Sequence, residues 1–280
     1  MRQLLLRLLR DPAAVTGLVI LAALLFIAAF GEMLAPYPED AFEAKPWQRL
    51  LPPSAEHPFG TDGAGADVLS RILLGARIAL FIAIGVVGAS MLIGVAAGLY
   101  AGYHGGRSGE FVMRVTDIFL SVPQLVLALV LTASLGAGLQ TAMVALAISY
   151  WPFFCRIVYG ETQRISASLF VEALEGAGLS TWRIALFHIL PNTAPAIIVR
   201  ATIGMGITIL TAAALGFMGL GAEPPTPEWG LMIADARRYL PDAWWCSTFP
   251  GLAILLTVLA FNLVGDSLRD IIDPRIRRSR

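Results

Sequence analysis

The chain is short of charge, cysteine and histidine, and each shortage narrows what it can be. Only 14% of its 280 residues are Asp, Glu, Lys or Arg, against 57% apolar, whereas soluble domains run near a quarter charged. So little polar surface cannot cover a globule, which excludes a soluble enzyme, and the apolar excess excludes a disordered tail. The 20 basic and 20 acidic residues cancel, leaving no basic field for nucleic acid. Two cysteines are too few for a disulfide scaffold. His57, His104 and His188 are scattered, and none stands at metal-ligand spacing from a cysteine or carboxylate. A phosphate loop and a nucleophile elbow are both missing. No catalytic residue, metal or cofactor is therefore expected, and a polytopic membrane protein is the class that remains.

What the chain has in quantity is uncharged length. A helix of about 20 apolar residues spans the hydrocarbon core, and uncharged runs place six transmembrane helices at about 12–34, 78–103, 117–136, 139–158, 193–220 and 247–265. Gly136-Ala137-Gly138-Leu139-Gln140 is the turn that divides spans three and four. The first run is longer than a signal-peptide core and reads as an uncleaved helix. Basic residues set the orientation. With both termini cytoplasmic, the inner side holds 13 of them, namely Arg2, Arg7, Arg10, Arg107, Arg114, Arg156, Arg164, Arg183, Arg269, Arg275, Arg277, Arg278 and Arg280. The outer side holds 6: Lys45, Arg49, Arg71, Arg77, Arg237 and Arg238. Cys155 and Cys246 then fall at opposite ends of the bundle, so no disulfide is expected. Arg200 lies inside span five, where a charge is costly and must snorkel, face a polar path or meet a partner.

Between the spans, six prolines from Pro36 to Pro58 predict an irregular outer segment. Val68, Leu69, Ile72, Leu73 and Ala76 follow at helical spacing and predict a short interfacial helix. Thr61 to Asp67 reads as a turn before that helix, since it lacks the context of a nucleotide or calcium loop. Ser90, Gly94, Gly98 and Gly102 form a small-residue stripe for close helix packing. The outer loop from Ala222 to Tyr239 is stiff, aromatic and charged. Trp229, Arg237 and Arg238 are its candidates for docking an extracytoplasmic partner, and a plain connector with aromatic anchors accounts for it equally.

The longest inner loop, 156–192, carries the most specific pattern. Ser168 is placed to cap a helix from Leu169 to Ala177, and Gly178 to end it. Leu169, Phe170, Ala173, Leu174 and Ala177 give that helix an apolar face, and a second helix runs from Ser180 or Thr181 to a stop at Pro191. Alone, this could be an ordinary surface hairpin or a lever for a partner. Glu172-Ala173-Leu174, Gly178 and Leu190-Pro191 resemble the EAA signature of permease subunits of ATP-binding-cassette importers, with Leu174 and His188 departing from it. His57 to Asp62, Asp67 to Arg71, Gly75 to Arg77, Pro224 to Pro227, Trp229 to Met232, Phe249 to Gly251 and Phe261 to Arg275 are similar to the dipeptide and oligopeptide C-type branch.

The resemblance implies an all-α integral membrane protein with the type I importer permease fold. It divides the chain into an N-terminal region with the first helix (1–75), a five-helix core (76–268) and a basic tail (269–280). It implies a second homologous permease, two cytoplasmic ATP-binding subunits, an extracytoplasmic substrate-binding protein and the bacterial inner membrane. Glu172, Ala173, Gly178, Leu190 and Pro191 would couple the bundle to the ATPase. Peptides lead as substrate, with nickel chelates, opines, glutathione and sugars as alternatives. A channel or secondary transporter without an ATPase is the rival class. Two positions depart from the branch: Glu175 is acidic where a basic residue is common, and Ala212 stands where span five usually carries an acid.

Overall fold

The computed structural model describes residues 8–39 and 42–272, so Arg2, Arg7 and most of the basic tail lie outside the described residues. The described residues build α1 (Pro12–Leu34), α2 (Val68–His104), α3 (Gly106–Ser121), α4 (Gln124–Leu135), α5 (Leu139–Ser166), α6 (Leu169–Gly176), α7 (Thr181–Ile184), α8 (Leu190–Phe217), α9 (Trp229–Ala236) and α10 (Trp245–Ile272). Among these residues the one strand-like contact is an isolated bridge between Thr61 and Asp67.

Five helical stretches are long and apolar enough to cross a membrane: α1, α2, α5, α10 and the run from Thr181 to Phe217. A sixth apolar stretch, α3 with α4, is bent by 89° and is either a broken span or a re-entrant loop. The single span expected at 117–136 is corrected accordingly, its first residues belonging to α3. The break follows from Pro123, which lacks an N–H and forces Val122 into an extended conformation, ψ 132°. With 12 residues, α4 reaches only about 18 Å, short of the roughly 30 Å hydrocarbon core. The turn expected after it is present, with Gly136 and Gly138 at φ +99° and +146°.

The interfacial helix expected at 68–76 is not separate. It is the first part of α2, whose 37 residues extend about 55 Å. Asp67 starts it, accepting from the Ser70 N–H and hydroxyl, each at 2.8 Å. Pro191 likewise does not stop a helix. The Leu190 N–H bonds to the Ala185 carbonyl, so Ala185–Ile189 forms one widened π turn. That turn brings Pro191 into the first turn of α8, where its missing N–H costs nothing.

The small-residue stripe of α2 faces α5. A Cβ at Gly98 would stand 2.5 Å from the Cys155 carbonyl and one at Gly102 2.7 Å from Thr162 Cβ, while Ser90 Oγ donates to the Ala147 carbonyl at 3.1 Å. Only glycine lets the backbones come this close. On the other side α10 lies between α1 and α8. A Cβ at Gly17 would meet the Ala260 carbonyl at 2.9 Å, and one at Gly265 would meet Ile203 at 2.5 Å.

The core divides along the bundle. At the proline-loop end, Leu80, Ile209, Trp229, Met232, Trp245 and Phe261 pack together. At the hairpin end, Leu99, Tyr150, Phe154, Val158, Ile184 and Ile189 do so. The proline-rich segment is irregular but firmly held. Thr61 Oγ1 takes the Leu51 N–H at 2.8 Å, Trp245 Nε1 donates to the Thr61 carbonyl at 3.1 Å, and Arg71 pairs with Asp62 at 2.6 Å. His57 does find a carboxylate, Asp67 Oδ1 at 2.9 Å, a pairing made by the loop fold that sequence spacing did not suggest. Both cysteines are free and buried.

Candidate functional site

The hairpin of α6 and α7 is built from its turn outward. α6 ends in a Schellman motif, with Gly178 donating to the Glu175 carbonyl at 2.9 Å and Leu179 to the Leu174 carbonyl at 3.2 Å. Gly178 supplies the left-handed residue that this motif needs, φ +78°. Ser168 stands at the N-cap, yet its hydroxyl donates back to the Ile165 carbonyl at 2.6 Å and does not cap α6.

The face that anchors the hairpin is not the one expected. Val171, 1% exposed, packs with Leu174, Leu179 and Ile184 onto Tyr150, Phe154 and Val158 of α5. Leu169 (83% exposed), Phe170, Ala173 and Ala177 point away from the bundle. The apolar face proposed from spacing is thus largely outward, and Val171 is the buried anchor missed there. Its i, i+3 relation to Leu174 was the available signal.

Three consequences follow for the site. Glu172, Ala173, Gly178 and Pro191 are each exposed, and Leu190 is half-buried against the hairpin-end core. Trp182 and Phe187, the latter 71% exposed, extend the apolar surface. Such a patch on a hairpin marks an interaction surface. Glu175, the acidic departure, is engaged within the chain, since Tyr103 Oη donates to it at 2.9 Å. That bond ties the end of α2 to α6. The rings of His104 and Trp182 meet nearby, tilted by 56° with centroids 5.6 Å apart.

The other candidate residues lie apart from the hairpin. Arg200 lies over the rings of Tyr150 and Phe153, at 5.1 and 4.6 Å, with its Nε buried and unpartnered. Aromatic faces, not a carboxylate, hold this cation within the bundle. Trp229 is 3% exposed and donates to the Ile72 carbonyl at 3.2 Å, so it is a core residue and offers no docking surface. Its indole fills the gap left by Gly75. Arg237 and Arg238 are exposed, over Phe217 and beside Asp235 respectively. Ala212, the departure in span five, lines a small cavity together with the buried Glu228. Glu228 caps α9 through the Gly230 and Leu231 N–H groups at 2.8 and 2.7 Å. Among the described residues no cluster of His, Cys, Asp or Glu could hold a metal ion.

This arrangement of spanning helices around a projecting hairpin has a solved counterpart. Chains of the inward-facing MetNI methionine ABC transporter superpose with a TM-score of 0.59 at 21% identity, covering 72% of this chain and 97% of that one. The fold is that of a type I importer permease. Residues 94–278 match the family described as binding-protein-dependent transport system inner membrane component, to which the chain belongs. Residues 1–53 match the N-terminal TM domain of oligopeptide transport permease C. The probable D,D-dipeptide transport system permease protein DdpC of Escherichia coli K12 is 43% identical, across 95% of this chain and 88% of its own. The dipeptide transport system permease protein DppC of Alkalihalophilus pseudofirmus is 42% identical, across 96% and 88%. The glutathione transport system permease protein GsiD of Pectobacterium atrosepticum is 41% identical, across 97% and 90%. The chain is a membrane-embedded permease subunit of an ATP-binding-cassette importer, and ATP hydrolysis belongs to separate subunits.

Proposed function

We propose that the chain forms half of a peptide translocation path, paired with a second, homologous permease and worked by two ATP-binding subunits. The names of its relatives, for dipeptides, D,D-dipeptides and glutathione, support this substrate class. The observation that carries the coupling is the hairpin. Its exposed residues Glu172, Ala173 and Gly178 are joined through Val171, Ile184 and Ile189 to the α5 core at Tyr150, Phe154 and Val158. A partner that pushes on the hairpin therefore pushes on α5 through close-packed side chains, which transmit displacement because interiors compress little. Leu190 and Pro191 form the stiff joint where the hairpin becomes α8. Closure of the ATPase pair on ATP would bias the bundle between outward-open and inward-open states by differential binding.

The two-to-one excess of basic residues supports cytoplasmic termini in a bacterial inner membrane, with the hairpin inside. The division into an N-terminal region, 1–75, a core, 76–268, and a tail, 269–280, follows the same plan. Arg237 and Arg238, outside, are the surface offered to the binding protein. Arg200, held on aromatic faces inside the bundle, is the polar element of the path or of the permease pair. Mass spectrometry of the ligand carried by the cognate binding protein tests the substrate: di- or oligopeptides are expected. A nickel chelate, an opine or a sugar would overturn the peptide reading, and glutathione alone would narrow it to one tripeptide.

A further inference from the structure

On the outer face, away from the hairpin, a cavity of about 200 Å³ opens between the Asp62–Ala64 turn, α2, α9 and the start of α10. Asp62, Arg71, Asp235, Arg238 and Tyr239 supply its charged and polar walls. These groups balance in charge, but they are not equally committed. Asp62 is saturated: Oδ1 accepts the N–H groups of Ala64 and Ala66 at 2.8 and 2.9 Å, and Oδ2 takes Arg71 Nη1 at 2.6 Å. Arg71 is fixed in the wall, 6% exposed, its other nitrogen reaching the Pro225 and Thr226 carbonyls and its Nε left without a partner.

Asp235 is the less committed carboxylate. Its ion-pair partner Arg238 stands 3.7 Å off and is largely solvent-exposed. Burial pushes the Asp235 carboxyl above the usual aspartate range despite the pull of Arg238 and Arg71. Tyr239 Oη accepts from Arg49 Nη2 at 3.0 Å, which leaves its own proton free to donate. The cavity thus offers a loosely paired, solvent-reachable Asp235–Arg238 couple beside the Tyr239 hydroxyl, and Arg238 also lies over the Tyr239 ring at 5.7 Å.

We propose that this cavity binds a small zwitterion of dipeptide size, its ammonium on Asp235 and its carboxylate on Arg238 and the Tyr239 hydroxyl, with Arg71 as fixed positive charge behind. A zwitterion can replace both halves of the loose Asp235–Arg238 couple, whereas a ligand with one charge draws one member from the other and offers the second no partner in exchange. The volume is below the roughly 300 Å³ of drug-sized pockets, so it suits a ligand of few atoms. This deepens the peptide-permease reading and rests on it for the choice of ligand. The site becomes a holding point at the outer mouth for substrate leaving the binding protein.

The test uses the assembled transporter in nanodiscs, without binding protein, titrated calorimetrically with dialanine, N-acetyl-dialanine and dialanine amide. Saturable dialanine binding is expected, weakened at least tenfold by either cap. Asp235→Asn should weaken dialanine at least tenfold and abolish the penalty of acetylation, and Arg238→Gln should do the same for amidation. Absence of saturable binding, or binding indifferent to caps and variants, overturns the site. Uptake driven by ATP and the binding protein separates the two readings. Peptide uptake with no dialanine binding sinks the site alone. Cap-sensitive binding with no peptide uptake sinks the peptide reading and keeps a zwitterion site.

Discussion

Gly178 invites a substitution series, because its two possible roles separate there. It closes α6 at φ +78°, and a Cβ added to it meets nothing within 4 Å. Inside the chain, then, a side chain at 178 costs only backbone strain, about 1–2 kcal/mol for an L residue held left-handed. At 1.4 kcal/mol per factor of ten, that is a shift of roughly 5- to 30-fold in the local equilibrium. Asn tolerates this conformation better than Ala or Trp, so strain ranks the variants Asn, then Ala and Trp. Volume ranks them Ala, Asn, Trp. If Gly178 leaves room for the ATPase, peptide uptake in proteoliposomes and substrate-stimulated ATP hydrolysis should fall in the volume order. Thermal unfolding of each variant should meanwhile shift by no more than the strain of about 2 kcal/mol. Gly178→Trp with normal uptake, or Gly178→Asn matching wild type while Gly178→Ala is impaired, would refute the docking argument.

Two further expectations concern stability. Gly98→Ala gains about 1 kcal/mol of helix propensity but forces a methyl to 2.5 Å from the Cys155 carbonyl, an overpacking worth about 1–3 kcal/mol. It should lower the midpoint of thermal unfolding in detergent, and Gly98→Leu should lower it further, whereas Gly88→Ala, with open space around it, should not. Glu228→Ala removes the cap of α9 and should cost about 0.5–2 kcal/mol, with Glu228→Gln closer to wild type because it keeps an acceptor. Burial raises the Glu228 carboxyl above its ordinary value. Its contribution is therefore fully present below the unfolded value and is lost as pH rises through the folded one. Unfolding midpoints followed across that window should fall with rising pH, and Glu228→Gln should flatten that slope.

The features that were legible in the sequence are those a short stretch of chain decides for itself. Uncharged length gives spans, since every residue of a span meets the same solvent, and α1, α2, α5 and α10 lie where it placed them. Gly136, Gly138 and Gly178 mark turns because left-handed backbone selects glycine locally. Pro123 carried a readable signal too, and the break it makes between α3 and α4 follows from the missing N–H and the restriction on Val122. Pro191 looked like the same signal and was not, because a π turn had already displaced the hydrogen bond it would have broken.

Which side of an element meets which neighbour was not legible. Val171, not Leu169 or Phe170, anchors the hairpin, because α5 stands on that side. Trp229 looked like an exposed aromatic anchor, and the close approach allowed by Gly75 made it core. Glu175 gains Tyr103, 72 residues away, as its partner. The amino-acid sequence by itself determined that this chain lies in a membrane and carries a helical hairpin turned at Gly178, because solvent preference and backbone geometry act within a few residues. Only the tertiary structure decided which hairpin face is left for a partner and how Asp235 comes to share a cavity with Asp62 and Arg71. Those depend on side chains brought together from distant parts of the chain.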